Sequence, residues 1–96
     1  MNEEITNHTP HGVVIQDPEK FMSLLYREQQ FLLAAVYVAK GNRVSYENDR
    51  LKIAELLQVQ WESIRANTLR LLKNHKIVRK TKDNFYVIDE NLITFI

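Results

Sequence analysis

Residues 53–74 read IAELLQVQWESIRANTLRLLKN, and their spacing decides the fold. Ile53, Ala54, Leu56 and Leu57 recur at helical intervals, and Leu57-Gln58-Val59-Gln60 then breaks the period. A second period opens at Trp61 and carries Ile64, Thr68, Leu71 and Leu72. A short helix, a turn of three or four residues and a longer helix predict a helix-turn-helix, in which the first helix braces the second.

The chain then continues in strand chemistry. Ile77-Val78-Arg79-Lys80-Thr81 reads as one strand and Phe85-Tyr86-Val87-Ile88 as another. The polar turn Lys82-Asp83-Asn84 separates them, and its Asn tolerates a left-handed backbone. A hairpin directly after the second helix is a wing. With it, the segment IAELLQVQWESIRANTLRLLKNHKIVRKTKDNFYVID resembles the winged helix-turn-helix of small bacterial and archaeal regulators of the MarR, ArsR and PadR type, over residues 28–89. Such sequences often carry Gly in the turn and ahead of the first wing strand; here those places hold Gln58 and His75-Lys76. The resemblance implies an α+β fold, mainly α, with a long N-terminal helix and a C-terminal β-hairpin wing. It also implies a transcriptional repressor or autoregulator whose second helix lies in the DNA major groove.

Composition bounds the rest. Ninety-six residues make one domain, which we divide into a flexible tail (1–12), an N-terminal segment with a dimerisation helix (13–42), the helix-turn-helix (44–74), the wing (76–89) and an apolar tail (90–96). The chain has no cysteine, which removes disulfides, thiolate metal sites and cysteine nucleophiles and suits a reducing cytoplasm. No apolar run reaches the ~18 residues of a membrane span. The acidic, polar start MNEEITNHTPHG is unlike a signal peptide. A cytoplasmic protein without membrane partner is expected. The net charge of +1 hides an asymmetry: Arg43 to Lys82 holds ten Lys/Arg against four Asp/Glu, a local +6. That charge coincides with the helix-turn-helix and wing, the footprint of a phosphate-binding face; the alternative is a solvated lysine-rich surface.

Upstream, His8 and His11 lack a third ligand nearby and read as polar residues, so no metal and no cofactor is expected. Val13-Val14-Ile15 is a brief strand or a segment that packs on a partner. Asp17-Pro18-Glu19 starts a helix, with Asp as N-cap and Pro in the first turn. The helix runs to Lys40 and ends at Gly41-Asn42, with a possible break near Arg27-Glu28. Its second half, FLLAAVYVA, is apolar on every side, which predicts burial all round. The helix-turn-helix covers one side. A second subunit is the economical cover for the other, with Phe21, Leu25, Leu33, Val36 and Tyr37 at the interface of a homodimer. The alternative folds Phe21, Leu24 and Leu25 back within the monomer. Leu92, Ile93, Phe95 and Ile96 form an apolar tail that packs on the first helix or across the dimer.

Val44-Ser45-Tyr46 reads as the short strand that pairs with the wing, after which Ser45 or Asn48 caps the helix up to Leu57. Tyr46, Ile53, Ala54 and Leu57 face inward there; Arg43 and Arg50 are candidates for DNA-backbone contacts, Arg50 by its place near the helix start. On the second helix Ile64, Thr68, Leu71, Leu72 and His75 share the apolar side, His75 as a packed or C-capping residue. The candidate recognition set is Gln60, Trp61, Ser63, Arg65, Ala66, Asn67, Arg70 and Lys73. Asn is bidentate to adenine and Arg to guanine, a small Ala meets a thymine methyl, and Lys73 suits a phosphate. Trp61 either packs over the sugar-phosphate backbone or staples the helix to the core. Arg79, Lys80 and Lys82 are the wing's candidates for flanking backbone or minor groove.

Three functions compete. The first is a sequence-specific double-stranded DNA-binding homodimer acting as a transcriptional regulator, with half-sites about 10 base pairs apart. A variant is a plasmid or viral DNA organiser, such as a centromere-binding partition factor that spreads on DNA. The second class is a winged-helix protein-interaction module. An enzyme is not expected: the sequence shows no Gly-rich phosphate loop, metal cluster, paired carboxylates or activated nucleophile. Phe21, Tyr26, Phe31, Tyr37 and Trp61 either line a ligand cleft or form core.

Overall fold

Asp17 caps the first helix, accepting the Lys20 N–H at 3.1 Å, with Pro18 in the first turn where no N–H is needed. In the computed structural model, which describes residues 10–70 and 76–96 and only the backbone of 67–69, this helix, α1, is Pro18–Met22. It is not continuous with the next, α2 (Tyr26–Ala39). The break falls at Ser23–Leu25, ahead of the Arg27-Glu28 position that the sequence suggested. Its cause is local: Leu25 is extended, and the Glu28 carboxylate accepts its N–H at 3.0 Å, satisfying a donor that the helix start leaves orphaned. Gln29 Nε2 donates to the Leu24 carbonyl at 3.0 Å, fixing the same turn. The bend swings Phe21 and Leu24 into the core.

The remaining elements follow as β1 (Val13–Ile15), β2 (Arg43–Ser45), α3 (Tyr46–Leu57), α4 (Trp61–Arg70), β3 (Val78–Lys80), β4 (Phe85–Ile88) and β5 (Ile93–Phe95). The described residues thus form an α+β fold with two sheets. One is the antiparallel ribbon β1–β5, with Val13 opposite Phe95 and Ile15 opposite Ile93. The other is ordered β2-β4-β3, with Val44 and Lys80 flanking Tyr86 on one face and Arg43 and Arg79 flanking Val87 on the other. Asn42 ties the two sheets together. Its side-chain amide donates to the carbonyls of Ile88 at 2.9 Å and Ile93 at 2.8 Å, while its own carbonyl accepts from Ile88 N–H.

Among the described residues, four that are not glycine are left-handed: Lys40, Gln58, Lys76 and Asn84. Lys40, not Gly41, takes the left-handed place that ends α2, and Gly41 N–H then reaches the Val36 carbonyl. Gln58 ends α3 with φ 58°, and Lys76 stands ahead of β3 with φ 54°. These are the two places where the sequence reading expected glycine and found Gln58 and His75-Lys76. Ser45 caps α3, accepting Asn48 N–H at 3.1 Å, and Asp49 accepts the Ser45 N–H at 2.7 Å.

α2 is the centre. Phe31 to Val36 are buried without interruption, and Val36 is 0% exposed. One side of α2 packs on α3 and α4, and β1 and β5 close another. Phe21, Leu33 and Val36, expected at a dimer interface, are therefore part of this chain's own core; of that set only Leu25 and Tyr37 remain exposed. The correction has a physical reason: the apolar tail supplies Leu92 and Ile93, both buried, as the missing cover, and of its four large apolar residues only Ile96 is left in water. Residues 1–9 of the expected tail lie outside the described residues. Residues 10–12 are tied down, since Val13 N–H donates to the Pro10 carbonyl at 3.0 Å and Ile96 N–H to that of Gly12 at 2.8 Å. Gly12 has φ +90°, and a Cβ there would stand 2.6 Å from the Phe95 ring.

Candidate nucleic-acid interface

α4 turns two residues inward and leaves most of its described side chains outside. At about 100° per residue, Trp61 and Ile64 fall on the core side, and both are buried. Glu62, Ser63, Arg65, Ala66 and Arg70 are exposed. Ala66 and Arg70 stand opposite the buried side, with Ser63 on the flank that looks toward α2 and Arg65 on the other. Gln60 is exposed in the turn, its carbonyl accepting Ser63 N–H at 3.1 Å. The side chain of Asn67 and the whole of Lys73 lie outside the described residues, as do Leu71, Leu72 and His75.

Trp61 is 8% exposed and packs edge-on against Tyr46, with ring centroids 5.9 Å apart and planes at 80°. Its place among the DNA contacts is corrected: the indole is enclosed by protein, in the stapling position. Its Nε1–H has no hydrogen-bond partner among the described residues.

Tyr46, the first residue of α3, is the hub of this region. Its N–H donates to the Asn84 carbonyl of the hairpin turn at 3.1 Å. Its ring meets Trp61 of α4 on one side and Tyr86 of β4 at 6.0 Å on another. Two cations lie against the same ring: the Arg50 guanidinium at 4.6 Å and the Lys80 ammonium at 5.8 Å. Burial pushes the Tyr86 phenol above its ordinary range; Tyr46 adds to that, and the Arg65 charge pulls it down. Arg50 and Lys80 are thereby gathered from α3 and β3 onto one aromatic cluster. The sequence showed Tyr46 only as one inward-facing residue. A Tyr immediately after a capping Ser, with Trp61 opening the next helix, was the available signal.

The hairpin divides its charges. Lys80 shares the face of Val44 and Tyr86, toward the helices, whereas Arg79 shares the outer face of Val87 with Arg43. Lys82 is exposed in the turn. Arg43 is committed to bracing that turn: its guanidinium pairs with Asp83 at 2.8 Å and lies 4.1 Å from the centre of the Phe85 ring. Thr81 donates its hydroxyl to Asp83 at 2.5 Å and accepts Phe85 N–H at 3.1 Å. The Thr81 hydroxyl above all, then a backbone hydrogen bond and Arg43, hold the Asp83 carboxyl below 3.8, against the opposing effect of desolvation. Arg50 is likewise engaged, donating to the Tyr46 carbonyl at 3.0 Å as it stacks on the ring. Both arginines were expected at the DNA backbone. Arg43 keeps an exposed side chain, and Arg50 is partly covered.

Chemically, the surface offers an open helix face with a forked Arg70 and a small Ala66, bordered by cations. Among the described residues, no three His, Cys, Asp or Glu side chains converge as a metal site, and no helix is long and apolar enough to cross a membrane. No family model, curated protein or solved structure matches this chain.

Proposed function

We propose that this chain is a winged helix-turn-helix protein that binds double-stranded DNA by sequence and acts as a transcriptional regulator. α4 is the recognition helix in this reading, with Ser63, Ala66 and Arg70 toward base edges, and the β3–β4 hairpin is the wing. The observation that supports it is the Tyr46 cluster. Through Trp61 and Tyr86 it joins the exposed helix to the hairpin, and it collects Arg50 and Lys80 at their junction. A helix of this diameter fits the major groove, and cations beside it suit the phosphates on either edge.

The test is selection of bound duplexes from a random pool, with a salt titration and footprint on the winner. A consensus site, and affinity that falls steeply with salt, are the expected results. Binding that ignores both sequence and salt would remove the reading in favour of a docking module. A footprint that lengthens as protein is added would keep DNA binding and replace the regulator with a DNA organiser that spreads.

A further inference from the structure

The sheet β2-β4-β3 has an outer face whose chemistry differs from that of the side turned to the helices. Val44, Tyr86 and Lys80 form a rung on the helix side, where Val44 and Tyr86 are buried. The neighbouring rung, Arg43, Val87 and Arg79, points the other way, with both arginines exposed and Val87 partly so. Phe85 is two residues before Val87, shares its face and is also partly exposed. Arg43 is held over that ring at two points: its guanidinium lies 4.1 Å from the ring centre, and Asp83 pairs with it at 2.8 Å. Its side chain is still 55% exposed. A planar cation is thus fixed on an aromatic ring, with its own surface open to a further layer. Arg79 stands on the opposite edge strand, roughly 10 Å away at the backbone, and its side chain has no partner among the described residues. Lys82 adds a cation at the turn, while the carboxylates nearby are engaged, Asp83 by Arg43 and Asp89 by the Asn91 N–H.

We infer that this face binds an unpaired stretch of nucleic acid, with one base stacked on the Arg43–Phe85 pair and an adjoining phosphate on Arg79. Charge and shape select that occupant together. The free cations suit a phosphate chain. The exposed guanidinium suits a base, since unstacked bases settle on aromatic rings and guanidinium planes whatever their identity. In a duplex both faces of a base are already covered by its neighbours, so the platform favours a single strand. An acidic peptide would use the charges and leave the plane idle. Asp83 and Phe85 hold the guanidinium before any strand arrives, so little side-chain freedom is lost on binding. The inference goes beyond duplex recognition and does not rest on it, because it uses none of Ser63, Ala66 and Arg70.

Fluorescence anisotropy of the full chain with a labelled oligothymidylate, at low salt, tests it. The wild type is expected to bind the strand, and to bind an abasic phosphate chain of the same length about fivefold more weakly or worse, the worth of one stacked base. Arg43→Lys keeps the charge and removes the plane; Phe85→Leu keeps the apolar bulk and removes the ring. Each should weaken oligothymidylate about fivefold or more and leave the abasic chain nearly unaffected. Arg79→Gln should weaken both chains alike. Arg70→Ala, on the open side of α4, should leave strand binding unchanged. A wild type that does not bind overturns the inference, as does one that binds both chains equally, since the face would then be a charged patch only. A folded Arg43→Lys variant with wild-type affinity overturns it too. So does an Arg70→Ala loss as large as that of Arg43→Lys, which would put the strand on α4. Oligoglutamate that displaces the strand as readily as unlabelled oligothymidylate of equal charge would give the face to an acidic peptide instead.

Discussion

α2 and α4 are both helices with a strongly apolar side, yet one is closed by its own chain and the other is left open. Around α2 the chain returns twice, once as β1 and once as β5, and the ribbon covers most of what α3 and α4 do not, leaving Tyr26 and Tyr37 exposed. Around α4, Trp61 and Ile64 are covered, and Glu62, Ser63, Arg65, Ala66 and Arg70 face water. An apolar circumference therefore reports that a helix is buried, not which chain buries it. A polar face on a short helix, by contrast, stays exposed unless something polar is built to meet it.

The largest effect expected from this contrast is at the closed helix. Val36→Glu should destabilise the domain by about 3–5 kcal/mol, because it buries a charge without a partner. Chemical denaturation reads this, and a variant as stable as the wild type would mean that α2 is not closed. The same substitution is consequently a test of folding and tells nothing about assembly. On the open helix, Arg70→Ala should leave stability unchanged and weaken specific DNA binding by about 1–3 kcal/mol, with preference relaxed at one base position. Equal losses on specific and random duplexes would move Arg70 to a phosphate. At the junction of the two regions, Lys80→Ala should weaken binding uniformly across sequences and make the salt slope shallower by about one; an unaltered slope would detach the hairpin from DNA.

Two smaller effects sharpen the comparison at the turns. Gln58→Gly relieves a left-handed side chain of about 1 kcal/mol but gives the unfolded chain more freedom, for a net gain of about 0.5 kcal/mol. A thermal midpoint that falls would show that the Gln58 side chain holds the turn in some other way. The smallest concerns pH. The Asp83 carboxyl titrates below its unfolded value of 3.8, so its bracing is fully present above 3.8 and is lost as pH falls through the lower, folded value. Amide shifts of Thr81 and Phe85 should follow that titration, while those of Val36 stay fixed; Thr81 and Phe85 shifts that first move well above 3.8 would assign the bracing to another group.

Which parts of this architecture the sequence displayed depends on the range of the interaction. The two helices flanking Gln58, the cap at Ser45 and the hairpin alternation of Tyr86 with Ile88 are set by neighbours within a few residues, and periodicity shows them; the pairing of β2 with the hairpin joins distant residues, Arg43 opposite Val87, and was expected only from the fold that the sequence resembles. The break at Ser23–Leu25 needed a carboxylate three residues ahead, and the pattern of apolar residues runs straight through it. The β1–β5 ribbon and the Asn42 bridge join residues about half a chain or more apart, which no local spacing encodes. Of the candidate surface, the exposed face of α4 was legible from its polar positions. The stapling of Trp61 was one of the two readings that the sequence offered. The engagement of Arg43 and the gathering role of Tyr46 were not legible, because both depend on where the hairpin returns; the Arg50 contacts with Tyr46, one turn earlier on α3, are local but leave no mark in the periodicity.

Trp61 is the only tryptophan in the chain, and it sits where α3, α4 and the hairpin meet. An enclosed indole emits at shorter wavelength than one in water, and its intensity answers to small displacements of the rings and charges around it. The protein therefore carries its own optical probe at a junction that joins the exposed helix to the hairpin. Any ligand, duplex or change of temperature that parts Tyr46 from Trp61 will be visible in solution without a label, and separable from the melting of α2, which contains no such fluorophore.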